Sequence, residues 1–211
     1  TWRGTIAAAR PVQHVKEEET ILESGKLGED IYFLLYKNGL LYIYGPGEMD
    51  NFTGSPIRNR AVVTKVAVEN GETPITNIGS HVFRDCINLT EILFDDLDSI
   101  TSIGSFAFFN CSALDNFECV LGKNLTSIGD NAFRDMPLPE ILTIPDKVTV
   151  IDSQAFSGCT ALTDITIPDS VKEIGANAFQ GCSALTELII PDSVDIMGGN
   201  MLNGCTAPVS Y

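Results

Sequence analysis

From residue 75 to residue 211 the chain repeats one unit. ITNIGSHVFRDCINLTEILF, SITSIGSFAFFNCSALDNFEC, LTSIGDNAFRDMPLPEILTIPDKV, VTVIDSQAFSGCTALTDITIPDSV and VKEIGANAFQGCSALTELIIPDSV are five versions of it, and IMGGNMLNGCTAPVSY is a broken sixth. Ile78, Ile103, Ile128, Ile151 and Ile174 mark the unit, and Met197 continues the series; the spacing is 25 residues twice and then 23 residues three times. Phe83, Phe108, Phe133, Phe156 and Phe179 keep the same period, with Leu202 in sixth place. So do Cys86, Cys111, Cys159, Cys182 and Cys205, with Met136 in the third copy. A unit this short cannot bury an apolar face alone and must stack on its neighbours. Each buried apolar side chain returns about 1.5–3 kcal/mol, whereas ordering the backbone costs roughly 1–2 kcal/mol per residue. One unit therefore loses, and stacked units gain by covering each other and sharing ladder hydrogen bonds.

Within a unit the apolar residues change period. Ile165, Thr166 and Ile167 alternate with period two, which predicts a short strand with one buried face. The equivalent inward pairs are Ile92/Phe94, Phe117/Cys119, Leu142/Ile144 and Leu188/Ile190. Pro168 has no N–H for a ladder and should end the strand, and Pro168, Asp169 and Ser170 have turn chemistry. Ile174 and Gly175 turn the chain again. Residues 176–181 are long enough for one helical turn, with Ala178 and Phe179 pointing inward.

These residues carry a family resemblance. IGANAFQGCSALTELIIPDSV resembles the consensus unit of the BspA-like leucine-rich repeat family: IG, AF, C, L and IPDSV fall at the family's spacing in the fourth and fifth copies. FDDLDS and VLGKN replace the Pro-Asp-Ser turn in the first two. Upstream, YKNGLLYIYGPGEMDNF is similar to the hairpin of a module that often precedes such repeats. Period and resemblance together predict a β-rich α/β leucine-rich repeat solenoid. Each 23–25-residue repeat holds one short strand and one short helix or 3-10 turn. The resemblance implies a surface-exposed or secreted bacterial protein, in a family of which some members are adhesins. It carries no ligand-binding motif to transfer.

The expected organisation is a linker over 1–19, an N-terminal β cap over 20–74 and the array over 75–211. Residues 31–36 and 40–44 read as strands around a tight turn at Asn38 and Gly39; Gly45, Pro46 and Gly47 should stop the second. Residues 61–68 are a third strand candidate. Such a cap covers the apolar face that a terminal coil would expose. At the other end two readings stand: the sixth copy is itself a cap, or the natural protein continues. The apolar runs, such as IYFLLY, are too short to span a membrane. The chain starts at Thr1, not Met, so a leader is expected upstream of a trimmed sequence.

Composition excludes several functions. The net charge is −15, with 28 acidic residues against 13 lysines and arginines, and such a surface repels phosphate backbones and anionic lipid. No nucleic-acid partner and no membrane span are expected. Residues 137–211 hold only Lys147 and Lys172 as strong bases against nine acids, which suits solubility first and a cationic partner or bound calcium second. Asp95, Asp96 and Asp98 form the densest acidic group but lack the glycine and spaced ligands of a calcium loop. The cysteines recur once per repeat, which points to free buried thiols rather than bridges, although successive coils bring Cys159, Cys182 and Cys205 toward bonding range. No CxxC or His partner suggests metal. His14 and His81 are far apart, and no nucleophile elbow or phosphate loop is present. No cofactor and no catalysis are expected. Asn51, Asn88 and Asn124 sit in Asn-x-Thr sequons, relevant only in a eukaryotic secretory pathway.

A partner would meet the outward strand residues. Alternation assigns these as Glu91, Leu93 and Asp95, then Asn116 and Glu118, Ile141 and Thr143, Asp164 and Thr166, and Glu187 and Ile189. The exposed Leu93, Ile141 and Ile189 are candidate anchors or ordinary sheet formers. The sequence thus points to a non-catalytic extracellular or cell-surface module that binds a protein in the manner of an adhesin, with host matrix or surface proteins as candidate targets. A spacer within a larger surface protein is the alternative. An enzyme or sugar-binding protein is the third reading, which a ligand in a concave pocket would favour.

Overall fold

The computed structural model describes residues 20–115, 121–206 and 209–210. The linker 1–19 and the second-repeat strand residues Asn116, Phe117, Glu118 and Cys119 lie outside the described residues.

The repeats wind into a parallel β-solenoid. Asn77–Ile78, Ser102–Ile103, Ser127–Ile128, Val150–Ile151, Glu173–Ile174 and Ile196–Met197 lie side by side in chain order as one parallel six-stranded sheet. Its register advances one whole repeat at each step: Ile78 pairs with Ile103, Ile103 with Ile128, Ile128 with Ile151 and Ile151 with Ile174. A second row comes from the period-two segments Glu91–Phe94, Ile141–Thr143, Asp164–Thr166 and Leu188–Ile189. Asp164–Thr166 ends before Pro168, and Ile165 and Ile167 are buried while Asp164 and Thr166 are exposed.

No helix forms over 176–181. These residues are a run of turns closed by i to i+3 bonds, such as Gln180 N to Asn177 O at 3.0 Å and Cys182 N to Phe179 O at 3.2 Å. The reason is the neighbour. Phe156 N donates to Ala178 O and Phe133 N to Ala155 O, both at 2.9 Å, so these amides point along the stack instead of back along their own coil. Two left-handed residues per repeat make this possible. Two places before the Phe stand His81, Phe106, Asn131, Gln154, Asn177 and Asn200, all with φ between 55° and 64°. Two places after it stand Asp85, Asn110, Asp135, Gly158, Gly181 and Gly204, also at positive φ. The Asn and Gly of the NAFxGC segment are thus residues that this backbone favours. The other repeated glycine answers a close approach: a Cβ on Gly175 would lie 2.3 Å from Ser153 N of the preceding coil.

Inside the turns the aromatic markers stack. Phe83, Phe108, Phe133, Phe156 and Phe179 are fully buried, and neighbouring rings lie 5.2 to 5.7 Å apart with interplanar angles from 22° down to 1°. Ala178 beside them is equally buried. Polar ladders run parallel to this spine. Thr101, Thr126 and Thr149 each donate a hydroxyl to the same-position carbonyl of the coil before. Ser170 and Ser193 donate to Val148 O and Val171 O at 2.7 and 3.1 Å, which accounts for the serine of the Pro-Asp-Ser turn. The five described cysteines are free. Cys111, Cys159, Cys182 and Cys205 donate Sγ–H to the carbonyls of Phe83, Phe133, Phe156 and Phe179 in the preceding coils. A thiol at this position therefore packs as a small apolar group and satisfies one carbonyl.

The N-terminal segment forms β1 (Ile21–Lys26), β2 (Tyr32–Tyr36), β3 (Leu40–Gly47) and β4 (Lys65–Ile75). β1 pairs antiparallel with β2 and β2 with β3, but β3 and β4 are parallel, and β4 continues in parallel onto Glu91–Phe94. Two expectations need correcting. Residues 61–62 belong to a 3-10 turn, Arg60–Val62, so the strand starts at Lys65. β3 runs on through Pro46 to Gly47, because an irregularity removes the need for a proline N–H: Gly45 pairs with Asn70 and Gly47 with Ile75, so residues 71–74 bulge out. Leu40 pairs with Lys65 and Lys65 with Glu91. β3 and β4 thus occupy coil positions at nearly the repeat period without its sequence markers. Leu27, Ile31, Ile57 and Val63 are fully buried there, in the same continuous core as the phenylalanine spine.

Three outcomes test this packing. Phe179→Ala should cost about 3–5 kcal/mol in urea denaturation, as for other buried phenylalanine truncations; an unchanged midpoint would remove Phe179 from the spine. Gly181 has φ 73°, and a Cβ added there would meet nothing closer than 3.7 Å. Gly181→Ala should therefore cost about 1–2 kcal/mol through the left-handed backbone alone, and the same substitution at Gly175 should cost more through overlap with Ser153. Burial pushes the Cys86 thiol up to about 12, whereas in an unfolded chain it titrates at about 8.5. Between these values the folded form binds more protons, so this stabilisation is complete below about pH 8.5 and is lost as pH rises toward 12. From pH 9 to 11, the unfolding free energy should fall more steeply than in Cys86→Ala, by up to about 1.4 kcal/mol per pH unit. Equal slopes in parallel urea titrations would overturn this assignment.

Candidate interaction surface

Period two places one set of strand residues in the core and the other on a face. Of the second set, Leu93, Ile141 and Ile189 are 57, 66 and 59 % exposed, and Asp95, Thr143, Asp164, Thr166 and Glu187 are exposed while Glu91 is half-buried. The ladder brings some of them together. Ile141 lies beside Asp164 and Thr143 beside Thr166. Thr186 N donates to Thr163 O at 3.0 Å, which carries Glu187 alongside Asp164. Asp95 follows the end of its strand and is fixed by its amide on Val68 O at 3.1 Å. Ile189 pairs with Ser210. Asn116 and Glu118 lie outside the described residues.

The face extends beyond the residues that alternation picked out. Leu93 pairs with Ala67 of β4, Ala67 with Tyr42 of β3 and Tyr42 with Leu34 of β2, so all four share one side of the sheet. The next row holds Glu69, Tyr44 and Tyr32. The rings of Tyr32, Tyr44 and Tyr42 stack at 5.8 and 5.4 Å. Lys26 Nζ lies 4.9 Å over the Tyr32 ring, and the Tyr42 hydroxyl donates to the Glu69 carboxylate. Lys65 Nζ bonds Glu91 at 2.8 Å. In YFLLY and LLYIY both alternate sets are apolar, so period two does not say which set faces out. Only the tyrosine hydroxyls hint at it.

Other candidate groups are engaged structurally. Asp96 caps the 3-10 turn Leu97–Ser99 by accepting from Asp98 N at 3.1 Å. Asp98 bonds Lys123 Nζ and accepts Lys123 N at 3.0 Å, which holds its carboxyl below the usual range. Asn88 and Asn124, of the sequons, donate Nδ2 to Ala61 O and Asp98 O at 2.7 and 2.8 Å. His81 stacks on Phe106 at 4.9 Å, and burial, then the Arg84 charge, lowers its pKa. Among the described residues no three His, Cys, Asp or Glu side chains converge as a metal ligand set. Among them too, no helix is long and apolar enough to cross a membrane.

Known structures share this architecture. A leucine-rich cell surface protein from Faecalibacterium prausnitzii A2-165 superposes with a TM-score of 0.64 at 26 % identity, over 88 % of this chain and 54 % of that one. The chain thus spans about half the length of that relative. The pneumococcal vaccine antigen PcpA matches with a TM-score of 0.56 at 19 % identity, over 90 % of this chain and 51 % of its own, and so shares the fold. A leucine-rich repeat protein from Bacteroides ovatus ATCC 8483 matches with a TM-score of 0.50 at 18 % identity, covering 95 and 72 % of the two chains. No curated protein matches the chain. The family model of the BspA-type leucine-rich repeat region matches residues 72–208 in six copies. With its in-register coils, phenylalanine spine and repeated IG, AF and Cys markers, the chain belongs to the BspA-type leucine-rich repeat family.

Proposed function

We propose that this chain is a non-catalytic, extracellular or cell-surface module that binds a protein through its strand face. The observation that carries the reading is the exposure of Leu93, Ile141 and Ile189 on strands whose other side is apolar. Large branched side chains held at fixed spacing in water are suited to be interface anchors. The cell-surface description of the Faecalibacterium relative supports the location, and the family's repeat architecture supports an interaction or scaffold role. Host matrix or surface proteins are the targets to try first. A spacer that carries another domain away from the cell is the second reading, favoured by relatives of which this chain covers only 54 and 51 %.

The test is capture of matrix and cell-surface proteins on the immobilised chain, followed by titration of each captured protein. The combined Leu93→Ser, Ile141→Ser and Ile189→Ser variant should weaken binding at least roughly tenfold, since central anchors cost more than about 1–2 kcal/mol when truncated, and should keep its melting temperature within a few degrees. Undiminished binding would move the contact off this face. Absence of any binding protein would favour the spacer.

A further inference from the structure

Acidic side chains dominate the charge of the strand face. Around Leu93 stand Glu91 and Asp95, beside Ile141 stands Asp164, and before Ile189 stands Glu187. The remaining described outward strand positions of the array are Thr143 and Thr166. Two lysines belong to the cap part of this face, and both are engaged within the chain: Lys65 on Glu91 at 2.8 Å, and Lys26 on Glu29 O at 2.7 Å and over the Tyr32 ring. The array's lysines point elsewhere. Lys123, Lys147 and Lys172 bond Asp98, the Asn124 side chain and Ser193 O, all in the turns that follow the strands. Among the described residues the array's part of the face therefore carries apolar, acidic and threonine side chains and holds no base of its own.

An independent feature points the same way. The half-buried rings of Tyr32 and Tyr44, stacked on the buried Tyr42, already hold an ammonium on the Tyr32 ring, that of Lys26 at 4.9 Å. Stacked electron-rich rings attract cations, and this stack continues the rows that contain Leu93 and Asp95.

We propose that the partner is a basic, amphipathic segment of a protein, whose apolar side chains seat on Leu93, Ile141 and Ile189 and whose lysines or arginines meet the intervening carboxylates and the tyrosine stack. The proposal rests on the strand face being the contact surface and adds the partner's chemistry. Opposite potentials speed encounter and exclude acidic competitors, and the apolar anchors supply the dry contact that charge alone does not.

The test titrates the full chain with three short peptides: alternating lysine and leucine, alternating glutamate and leucine, and alternating lysine and serine. Titrations run at about 50 and about 500 mM NaCl, which brackets strong and weak screening. The lysine–leucine peptide should bind, with roughly tenfold loss at the higher salt, while the lysine–serine peptide binds roughly tenfold more weakly. The glutamate–leucine peptide should not bind. Asp164→Lys and Glu187→Lys, both at exposed positions, should each weaken the lysine–leucine peptide and retain the parent melting temperature. Equal binding of the acidic and basic leucine peptides, no binding of the basic one, or indifference to both charge reversals would overturn the proposal. The failures separate: a captured protein that depends on Leu93, Ile141 and Ile189 but presents an acidic contact surface sinks the charge complementarity alone. A captured protein indifferent to those three residues sinks the surface itself.

Discussion

Every coil in this molecule hands its peptide groups to the next. The IG strands and the AF turns both direct amides along the stack, so coils must sit at the spacing of paired strands, about 4.8 Å. Other features follow from that spacing. Phenylalanine rings at one position per coil are forced into near-parallel contact. The glycine after the marker isoleucine is needed where the preceding coil's backbone lies within 2.3 Å of a would-be Cβ, as at Gly175. Threonine, serine and cysteine side chains recur because each reaches a carbonyl that lies one coil back. The repeat consensus is in large part a list of atoms that fit, or bond, across that gap.

The same constraint explains what could be read from the sequence. The period, the inward Phe and Ala, and the inward pairs Leu142/Ile144, Ile165/Ile167 and Leu188/Ile190 were legible because burial acts on side chains with a fixed spacing. The left-handed positions were written there as well, in Asn177 and Gly181, but a short apolar turn followed by glycine also reads as a helix with its cap. Whether amides point back along the coil or across to the next one decides between them, and this is a tertiary fact. In the cap, Leu40, Lys65 and Glu91 share no marker residues although they sit at equivalent coil positions. There the backbone register persists after the side-chain pattern has gone. For the surface, alternation separated Leu93, Ile141 and Ile189 from the core. It passed over the half-buried Tyr32 and Tyr44 because their strands are apolar on both sides.

The left-handed position before the phenylalanine costs more where its residue is not Asn. His81, Phe106 and Gln154 hold this backbone at φ 64°, 57° and 56° where the other coils have Asn. A left-handed residue with a bulky side chain costs about 1–2 kcal/mol. The compensation is visible in the packing: His81 stacks on Phe106, and Arg84 lies 5.2 and 5.1 Å over Phe106 and Phe109. Aromatic and guanidinium contacts of this kind offset part of the backbone term.

Within the later repeats nothing in the ladders fixes the number of coils. A coil touches only the one before and the one after, and in the later repeats each coil presents to its successor the surface that it received from its predecessor. Duplicating or deleting a 23-residue unit there would therefore leave the contacts of all other units unchanged and alter the molecule's reach in steps of about 4.8 Å. Length in such a protein is a nearly free variable of evolution, adjustable without redesigning either terminus.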